Sequence, residues 1–269
     1  MKKQVSIMGC GWLGFPLATA LIGEGYNIKG STTSKEKLQT LTKASIDSFL
    51  IRLDSKGIYG NYTDFLSGSD IVIINIPPGL RKNPSKNHVA EIRQLIAAIE
   101  EQNIPNVLYV SSTSVFKDEM HFPVIGHRTL PNGISNSAKQ LIEIENMLQD
   151  NPFFNTTIVR FGGLFDAQRH PAKYLSGKQN VLNPEAPINL IHKEDCIEIL
   201  STLIKNNAWN LILNAVYPKH PMKKDYYLAY CKAHRLDLPK FDLSKTSTGK
   251  IIDSSKLEQL LSYKYKQGL

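Results

Sequence analysis

Three glycines near the amino terminus have the spacing of a phosphate-binding turn. Gly9, Gly11 and Gly14 fit the pattern G-x-G-x-x-G, and Trp12 and Leu13 stand between the last two. In such a turn the first glycine permits a tight bend, the second lets backbone N–H groups approach a pyrophosphate, and the third lets a helix pack closely on a strand. We therefore expect the backbone of these residues to bind a dinucleotide at the positive end of a helix.

The same stretch has a second interpretation, as a secretory signal. Lys2 and Lys3 would form its basic region, and Ala18-Thr19-Ala20 would be its cleavage site. However, the three glycines and Pro16 interrupt the apolar run that such a signal needs. A second apolar stretch, Tyr26–Ser31, completes the strand, helix and strand expected around a dinucleotide turn. The nucleotide-binding interpretation is therefore favoured.

The residues after this second apolar stretch bear on the choice between NAD and NADP. A site that prefers NAD places an acid about 20 residues beyond the glycines, where it binds the ribose 2′-hydroxyl. This chain has Ser31, Thr32, Thr33, Ser34 and Lys35 in that region. Hydroxyl groups and a lysine can donate to a 2′-phosphate, which favours NADP, with NAD still possible. Thr33 or Ser34 could also cap the following helix, and the two roles are compatible.

Apolar runs typical of strands alternate with amphipathic helical stretches in the first part of the chain. The expected strands are Val5–Met8, Tyr26–Ser31, Phe49–Leu53, Ile71–Ile76, Val107–Ser112 and Thr157–Phe161. The expected helices between them are Trp12–Gly23, Ser34–Leu41, Pro84–Gln102 and Ser137–Leu148. This alternation predicts an α/β fold with a Rossmann-type, doubly wound parallel sheet.

The pattern changes after Phe161, where proline-containing loops separate shorter elements. Helices are expected near Lys193–Lys205 and Met222–His234. We predict a dinucleotide-binding domain over residues 1–161 and a smaller mixed lobe over residues 162–269, with residues 188–215 or so returning to the sheet. Ligands of open α/β sheets bind beyond the carboxyl ends of the strands, so the substrate is expected there.

Composition narrows the class of protein. A chain of 269 residues with 42% hydrophobic content can bury a full core. No uninterrupted run of about 18 apolar residues is present, so no membrane span is expected. The three cysteines, Cys10, Cys196 and Cys231, are scattered and none has C-x-x-C spacing, which argues against a disulfide framework and against a zinc site. We expect a cytoplasmic protein without a metal site.

The formal net charge of +8 raises the question of nucleic-acid binding. The lysines are dispersed along the chain, which favours a solvated surface over a nucleic-acid patch. An anionic cofactor or substrate also suits a basic protein. We expect a small-molecule substrate, no nucleic-acid or membrane partner, and either a monomer or a homodimer.

Three further stretches carry a resemblance to a known family. They are YVSSTSVF at Tyr109–Phe116, VRFGGLFDAQR at Val159–Arg169 and IHKEDCIEIL at Ile191–Leu200. With the glycine turn, and in this order, they resemble the S-S-x-x-V-Y, R-x-x-G-x-Y-G-x-x-R and I-H-x-x-D segments of the extended short-chain dehydrogenases/reductases, the NAD-dependent epimerase/dehydratase family. The resemblance extends, with gaps, from residue 4 to about residue 215.

The resemblance implies roles for residues outside the glycine turn. Asp54, after the third expected strand, matches the position where the family places an acid near the adenine. Asn75, Ile76 and Pro77, which lie in the segment NIPPG, would run beside the nicotinamide ribose. Ser112 matches the family's catalytic serine or threonine, although a hydroxyl at this place can also cap the end of a strand.

The chain departs from the family at the catalytic tyrosine. The family carries Y-x-x-x-K, in which the tyrosine transfers a proton during hydride transfer. Alignment on Lys139 places Ser135 at the tyrosine position. A serine hydroxyl is a poor proton donor or acceptor near neutral pH unless another base activates it. The catalytic candidates are therefore Ser112, Lys139 and Ser135, in an atypical site.

Other assignments remain open at these positions. Lys139 could simply pair with Glu143, which lies four residues further along the same expected helix. His121 or His127 could replace the missing tyrosine, because an ordinary histidine side chain can act as a general base near neutral pH. Tyr174, which follows the stretch Val159–Arg169, is a further candidate. A histidine in a loop is, however, typically a solvated surface residue.

Two classes of function follow from these observations. The first is an NADP(H)-binding oxidoreductase or epimerase that acts on a small polar substrate such as a nucleotide sugar. The second is a non-catalytic NADP(H) sensor or scaffold. A dehydrogenase of the 6-phosphogluconate or 3-hydroxyacid type would also open with a glycine turn, but it would need a long helical carboxyl-terminal domain, which the proline-rich region after Phe161 does not supply.

Overall fold

A computed structural model describes residues 2–269 and contains a seven-stranded central sheet. In chain order the strands are β1 (Gln4–Met8), β2 (Asn27–Thr32), β3 (Asp47–Leu50), β4 (Arg52–Asp54), β5 (Gly57–Tyr59), β6 (Ile71–Ile74), β7 (Asn106–Ser112), β8 (Val124–Ile125), β9 (Asn155–Phe161), β10 (Gly163–Phe165), β11 (Leu190–His192), β12 (Leu211–Ala215) and β13 (Ile251–Ile252). The helices are α1 (Gly14–Gly23), α2 (Lys35–Lys43), α3 (Tyr62–Leu66), α4 (His88–Glu101), α5 (Asn136–Gln149), α6 (Pro171–Leu175), α7 (Lys193–Lys205), α8 (Lys223–Ala233) and α9 (Ser255–Leu261).

The strand order of the central sheet is β12-β9-β7-β6-β1-β2-β3. The pairs β1–β2, β1–β6, β2–β3 and β6–β7 are parallel. Strands that are covered on both faces should be apolar throughout, and every residue of Ile71–Ile74 is buried. The predicted doubly wound parallel sheet is confirmed.

The order of connection reverses between β1 and β6, which are neighbours in the sheet. Met8 and Ile74 are paired at the carboxyl ends of these two strands. The chain that leaves β1 turns toward β2, and the chain that leaves β6 leads on toward β7 on the other side. In open α/β sheets such a switch point opens a crevice at the carboxyl ends of the strands, and ligands bind there.

Several element boundaries differ from the sequence-based prediction. The strand that was expected to reach Ile76 ends at Ile74. The helix that was expected from Pro84 begins at His88, because Asn87 caps it by accepting a hydrogen bond from the N–H of Ala90 at 2.9 Å. The expected strand Phe49–Leu53 is divided, since its second half turns away to form the antiparallel pair β4–β5.

The chain forms two compact units. The first comprises Met1–Val115, Gly133–Arg160 and Ile197–Ile212, and the second comprises Phe116–Asn132, Phe161–Cys196 and Leu213–Leu269. The chain therefore passes from one unit to the other several times. Within residues 2–269, no helix is long and apolar enough to span a membrane.

Buried polar contacts stabilise the second unit. Asp195 is buried and accepts hydrogen bonds from the Tyr263 hydroxyl at 2.7 Å and from the N–H of Lys266 at 2.9 Å. His170 caps α6 by accepting a hydrogen bond from the N–H of Ala172, and its ring stacks on Tyr230 at 3.5 Å. Asp195 thus anchors the carboxyl-terminal segment within this unit.

All three cysteines are free and buried. Burial raises the pKa of the Cys10 thiol to about 12, which keeps it protonated near neutral pH. Only the thiolate is a strong nucleophile or metal ligand, so Cys10 behaves as a small core side chain.

A buried ion pair fixes α5 against the sheet in the first unit. Glu145 of α5 accepts from the Arg160 guanidinium, at 2.6 Å from Nη2 and 3.1 Å from Nε. Only 1% of the Glu145 side chain and 4% of the Arg160 side chain are exposed. The hydroxyl of Ser111 on β7 donates to the same carboxylate at 2.6 Å. One carboxylate therefore connects α5, β7 and β9 beside Ser112.

We expect Glu145→Gln to lower the free energy of unfolding by about 3 to 5 kcal/mol, because it leaves a buried guanidinium without its anion. The matched control is Glu143→Gln on the same helix. Glu143 pairs with Arg93 at 3.4 Å, but 55% of its side chain is exposed, so that change should be worth less than about 1 kcal/mol. Urea denaturation of both variants measures the difference. Equal losses would contradict the assignment of Glu145 as a core anchor.

Candidate functional site

The glycine turn links β1 to α1 and is held close to the loop that follows β6. Gly9 has φ +107°, and a Cβ there would stand 2.5 Å from the carbonyl oxygen of Asn75. A Cβ on Gly14 would stand 2.2 Å from the carbonyl oxygen of Gly9. Both distances are far shorter than any non-bonded contact. The first and third glycines are therefore required by the close approach of the backbone.

Gly11 differs from the other two glycines of the turn. A Cβ built on it meets no heavy atom of the described chain within 4 Å. No close contact within the protein therefore requires a glycine at this position. It borders open space beside a helix terminus, which is the arrangement expected where a ligand pyrophosphate approaches the backbone.

The amino terminus of α1 has no side-chain cap among the described residues and no acidic residue in its first turn. Leu13 stands at the N-cap position and is buried, and no side chain among residues 2–269 caps the helix. The first turn contains no acidic residue, and the neighbouring Trp12 is half-buried. The positive end of the helix dipole is thus available to an anion beside Gly11.

Asn75 joins the glycine turn to the segment after β6. Its backbone N–H donates to the carbonyl of Met8 at 3.0 Å, and its side-chain Nδ2 donates to the carbonyl of Gly9, also at 3.0 Å. Ile76 is half-buried and Pro77 is exposed. The structure therefore brings the predicted residues Asn75, Ile76 and Pro77 to the same edge of the sheet as the glycines.

The hydroxyl-rich segment begins within β2, where the side chains of Ser31 and Thr32 form local hydrogen bonds. Ser31 is buried, and its hydroxyl accepts from the N–H of Gly9 at 2.9 Å and donates to the sulfur of Met8 at 3.1 Å. The hydroxyl of Thr32 accepts from the N–H of Ser34 at 3.2 Å. The side chain of Ser31 thus supports the glycine turn from within the protein.

The remaining residues of this segment are exposed or half-exposed, and Glu36, which was not predicted as a site residue, lies beside them. Thr33 and Lys35 are exposed, whereas Ser34 is half-exposed at the N-cap of α2. The Ser34 hydroxyl donates to Glu36, which lowers the pKa of that carboxyl. Glu36 is not among the residues expected at this site, although an acid in the first turn of a helix is a recognisable signal.

Asp54 lies in a hairpin at the end of β4. Its carboxylate accepts from the N–H of Lys56 at 2.8 Å and from the Tyr59 hydroxyl at 3.2 Å, and Arg52 lies 3.8 Å away. The Lys56 N–H in particular holds the pKa of this carboxyl below its usual range. The side chain is half-exposed.

The three catalytic candidates all lie in the first unit. The Ser112 hydroxyl accepts from the N–H of Ser114 at 3.1 Å at the end of β7. The Ser135 hydroxyl accepts from the N–H of Ala138 at 3.1 Å, so Ser135 is the N-cap of α5. Lys139 follows one turn later, is exposed, and forms no ion pair within residues 2–269.

The residues considered as substitutes for the tyrosine lie in the second unit. His121 has φ +64° and is exposed, His127 is exposed, and 66% of Tyr174 is exposed. In the same unit β10 pairs with β11, and Lys193 lies 2.6 Å from the carboxylate of Asp166. The stretches Val159–Arg169 and Ile191–Leu200 thus contact one another there.

A pocket of about 500 Å³ opens between the first turns of α4 and α5. Its walls include Lys86, Asn87, Arg93, Asn136 and Gln140. Sequence reasoning missed this pocket, because only the tertiary structure brings residues about fifty positions apart onto one wall. None of the predicted site residues lines it.

The chain is similar in sequence to a curated protein and in fold to several solved structures. No family model matches the sequence. The chain is 30% identical over 266 residues to the YeeZ protein of Escherichia coli K12, covering 98% of this chain and 96% of that protein. It is similar to the structure of a UDP-glucuronic acid 4-epimerase from Bacillus cereus in complex with NAD, with a TM-score of 0.80, 17% identity, and 98% and 92% of the two chains covered. A short-chain dehydrogenase/reductase superfamily protein from Agrobacterium tumefaciens with bound NAD has a TM-score of 0.79, 11% identity, and 98% and 93% coverage.

Proposed function

The chain belongs to the family of the YeeZ protein and has the fold of the extended short-chain dehydrogenases/reductases, and from this premise we propose that it is an NADP(H)-binding oxidoreductase or epimerase. The observation that carries the proposal is the glycine turn. Gly9 and Gly14 are closed in by backbone, whereas Gly11 borders open space at the uncapped end of α1. This arrangement fits a bound pyrophosphate.

The preference for NADP rests on the charge around the end of β2. Ser31 supports the glycine turn, so the groups that remain for a 2′-phosphate are the exposed Thr33 and Lys35, with Lys37 two residues further along α2. Glu36 opposes them, but its carboxylate is held by the Ser34 hydroxyl. A lysine beside a phosphate makes a charge-assisted hydrogen bond, which is stronger than a neutral one.

The proposed substrate is a small polar molecule such as a nucleotide sugar. Support comes from the fold, since the Bacillus cereus protein of the same fold is a UDP-glucuronic acid 4-epimerase. The bound cofactor would supply or accept a hydride. In this scheme the Ser112 hydroxyl donates a hydrogen bond to a substrate oxygen, and the Lys139 ammonium binds hydroxyls of the cofactor ribose.

A non-catalytic dinucleotide sensor is the second candidate, and the position of Ser135 favours it. The Ser135 hydroxyl is the N-cap of α5, where it accepts from the N–H of Ala138. A serine hydroxyl with no adjacent base is a weak proton carrier. A sensor would need only the dinucleotide site and no proton donor.

We expect Gly11→Asp to weaken NADPH binding at least a hundredfold, about 2.7 kcal/mol, because a carboxylate would stand where the pyrophosphate approaches. The fold should persist, since a Cβ at Gly11 meets nothing within 4 Å. Fluorescence titration measures the affinity, and thermal unfolding checks the fold. Gly23→Asp is the matched control, because Gly23 is equally open at the opposite end of α1. Unchanged affinity in a folded Gly11→Asp protein would refute the placement of the site.

NADPH should bind about tenfold more tightly than NADH, a difference of about 1.4 kcal/mol. Lys35→Met should reduce this preference and leave the NADH affinity unchanged, because the lysine acts only on the 2′-phosphate. The control is Lys43→Met, at the exposed opposite end of α2. Parallel titrations with the two cofactors decide the matter. Tighter binding of NADH, or equal affinities, would count against the assignment.

NADPH oxidation over a panel of sugars, ketones and nucleotide sugars should show little reduction of generic carbonyl compounds. Any activity should be lost in Ser112→Ala or Lys139→Met and retained in Lys43→Met. Ser135→Tyr should raise carbonyl reduction if tyrosine is the only missing group, since a positioned acid or base contributes about 10² to 10⁴-fold. Rapid turnover that survives both losses would show that the active site lies elsewhere, whereas tight binding without any turnover would favour the sensor.

A further inference from the structure

Hydrogen bonds join the first turn of α5 to the segment Pro84–His88. The Gln140 side chain accepts from the backbone N–H of His88 at 2.7 Å and donates to the carbonyl of Lys86 at 3.1 Å. The Asn136 side chain donates to the carbonyl of Pro84 at 3.2 Å and accepts from Gln140 at 3.1 Å. We call these four hydrogen bonds the α5 latch.

The segment on the far side of the α5 latch is the end of the loop that begins at Asn75. Within that loop, Lys86 Nζ lies 3.7 Å from the position that a Cβ on Gly79 would occupy. The same ammonium lies 2.9 Å from the carboxylate of Glu91 on α4. Gln140 therefore holds a segment that reaches back to the Asn75–Gly79 stretch.

Buried groups of α4 hold this segment from its other side. His88 is fully buried, and its Nδ1 lies 2.9 Å from the carboxylate of Glu91. Burial lowers the pKa of His88, so the ring is neutral near pH 7 and its Nδ1–H donates to Glu91. Gln140 and Asn136 join α5 to the other side of this segment.

The α5 latch lies beside the two residues of α5 that are candidates for chemistry. Ser135 directly precedes Asn136, and Lys139 directly precedes Gln140. Lys139 itself is exposed and has no ion pair within residues 2–269 to direct it. Its placement is therefore set by the helix that carries it, and hence by the contacts of the first turn of that helix.

We propose that Gln140 is a positioning residue that sets the width of the nicotinamide-ribose site, because it ties the helix of Lys139 to the loop of Asn75–Gly79. This inference rests on the proposed function, in which Lys139 binds hydroxyls of the cofactor ribose and the stretch that begins at Asn75 runs beside that ribose. Gln140 touches neither cofactor nor substrate. It acts through Lys139, whose helix it holds at a fixed distance from the Lys86–His88 backbone.

Packing alone does not hold this junction. Gln140, Asn136 and Lys86 all line the pocket of about 500 Å³ between α4 and α5. Beneath this pocket, buried apolar residues of α4 and α5, among them Ile92 and Leu141, hold the two helices in place. The amide of Gln140, which uses its acceptor and its donor at once, adds directional bonds from α5 to the backbone of the segment before α4.

The test is a double-mutant cycle of NADPH affinity with Gln140→Met and Lys139→Met. Methionine keeps the length of glutamine but removes both hydrogen bonds of the amide with the segment. We expect Gln140→Met to weaken NADPH binding about tenfold, and to cause no further loss in the Lys139→Met background, because a residue that acts through Lys139 has nothing to position once Lys139 is gone. Gln149→Met is the matched control, since Gln149 ends the same helix and is exposed.

Each alternative result is informative. A Gln140→Met protein with a lower melting temperature but unchanged affinity would make Gln140 merely structural, and an equal loss in both backgrounds would show that it does not act through Lys139; either overturns the inference. If Gln140→Met does not fold, Gln140→Glu keeps the acceptor for His88 but loses the donor to Lys86, and should give a smaller loss that likewise vanishes with Lys139→Met.

The inference and the proposed function fail in different ways. If the wild-type protein binds neither NADPH nor NADH, the proposed function fails and the inference falls with it. If the wild-type protein binds NADPH and Lys139→Met weakens the binding, but Gln140→Met does not, the inference alone is wrong.

Discussion

The close approach of two backbone segments at the switch point is the constraint on which the site depends. The turn after β1 lies so near the loop after β6 that Gly9 has no room for a Cβ beside the carbonyl of Asn75, and within the turn itself Gly14 has none beside the carbonyl of Gly9. The Asn75 side chain bridges the two segments by donating to the carbonyl of Gly9. This contact brings the amino terminus of α1 to the carboxyl edge of the sheet, where an anion can meet N–H groups without crossing a layer of side chains. Gly11, between these two glycines, borders open space.

The helix α5 forms a second side of the proposed site. One contact in the core and one near the surface hold this helix in place. In the core, Glu145 pairs with Arg160 and accepts from Ser111, so the helix is tied to the strand that ends at Ser112. At the surface, Gln140 ties its first turn to the segment before α4. Separating Glu145 from Arg160 would leave a buried charge without a partner, so this pair resists movement of α5 along the sheet. The hydrogen bonds of Gln140 near the surface are directional, and they can change with less loss of free energy. Position along the sheet and width of the crevice are thus controlled by different residues.

Local hydrogen bonds take up several side chains that a ligand could otherwise use. Ser31 accepts from the N–H of Gly9, and Ser135 accepts from the N–H of Ala138 at the start of α5. Short hydroxyl side chains compete readily for nearby backbone groups. Ser31 and Ser135 therefore contribute to the shape of the proposed site. The charged Lys35 and Lys139 are exposed and remain available for binding.

The sequence by itself determined the doubly wound sheet and the glycine turn, because both depend on local periodicity and on the spacing of residues a few positions apart. It did not determine where the strand of Ile71–Ile74 ends or that Ser31 points inward, since those depend on the caps and neighbours that each residue meets. The contact of Gln140 with His88 and the pair of Glu145 with Arg160 join different elements of the chain. Only the tertiary structure decided them, because no local pattern records which side chains a folded sheet brings within hydrogen-bonding distance.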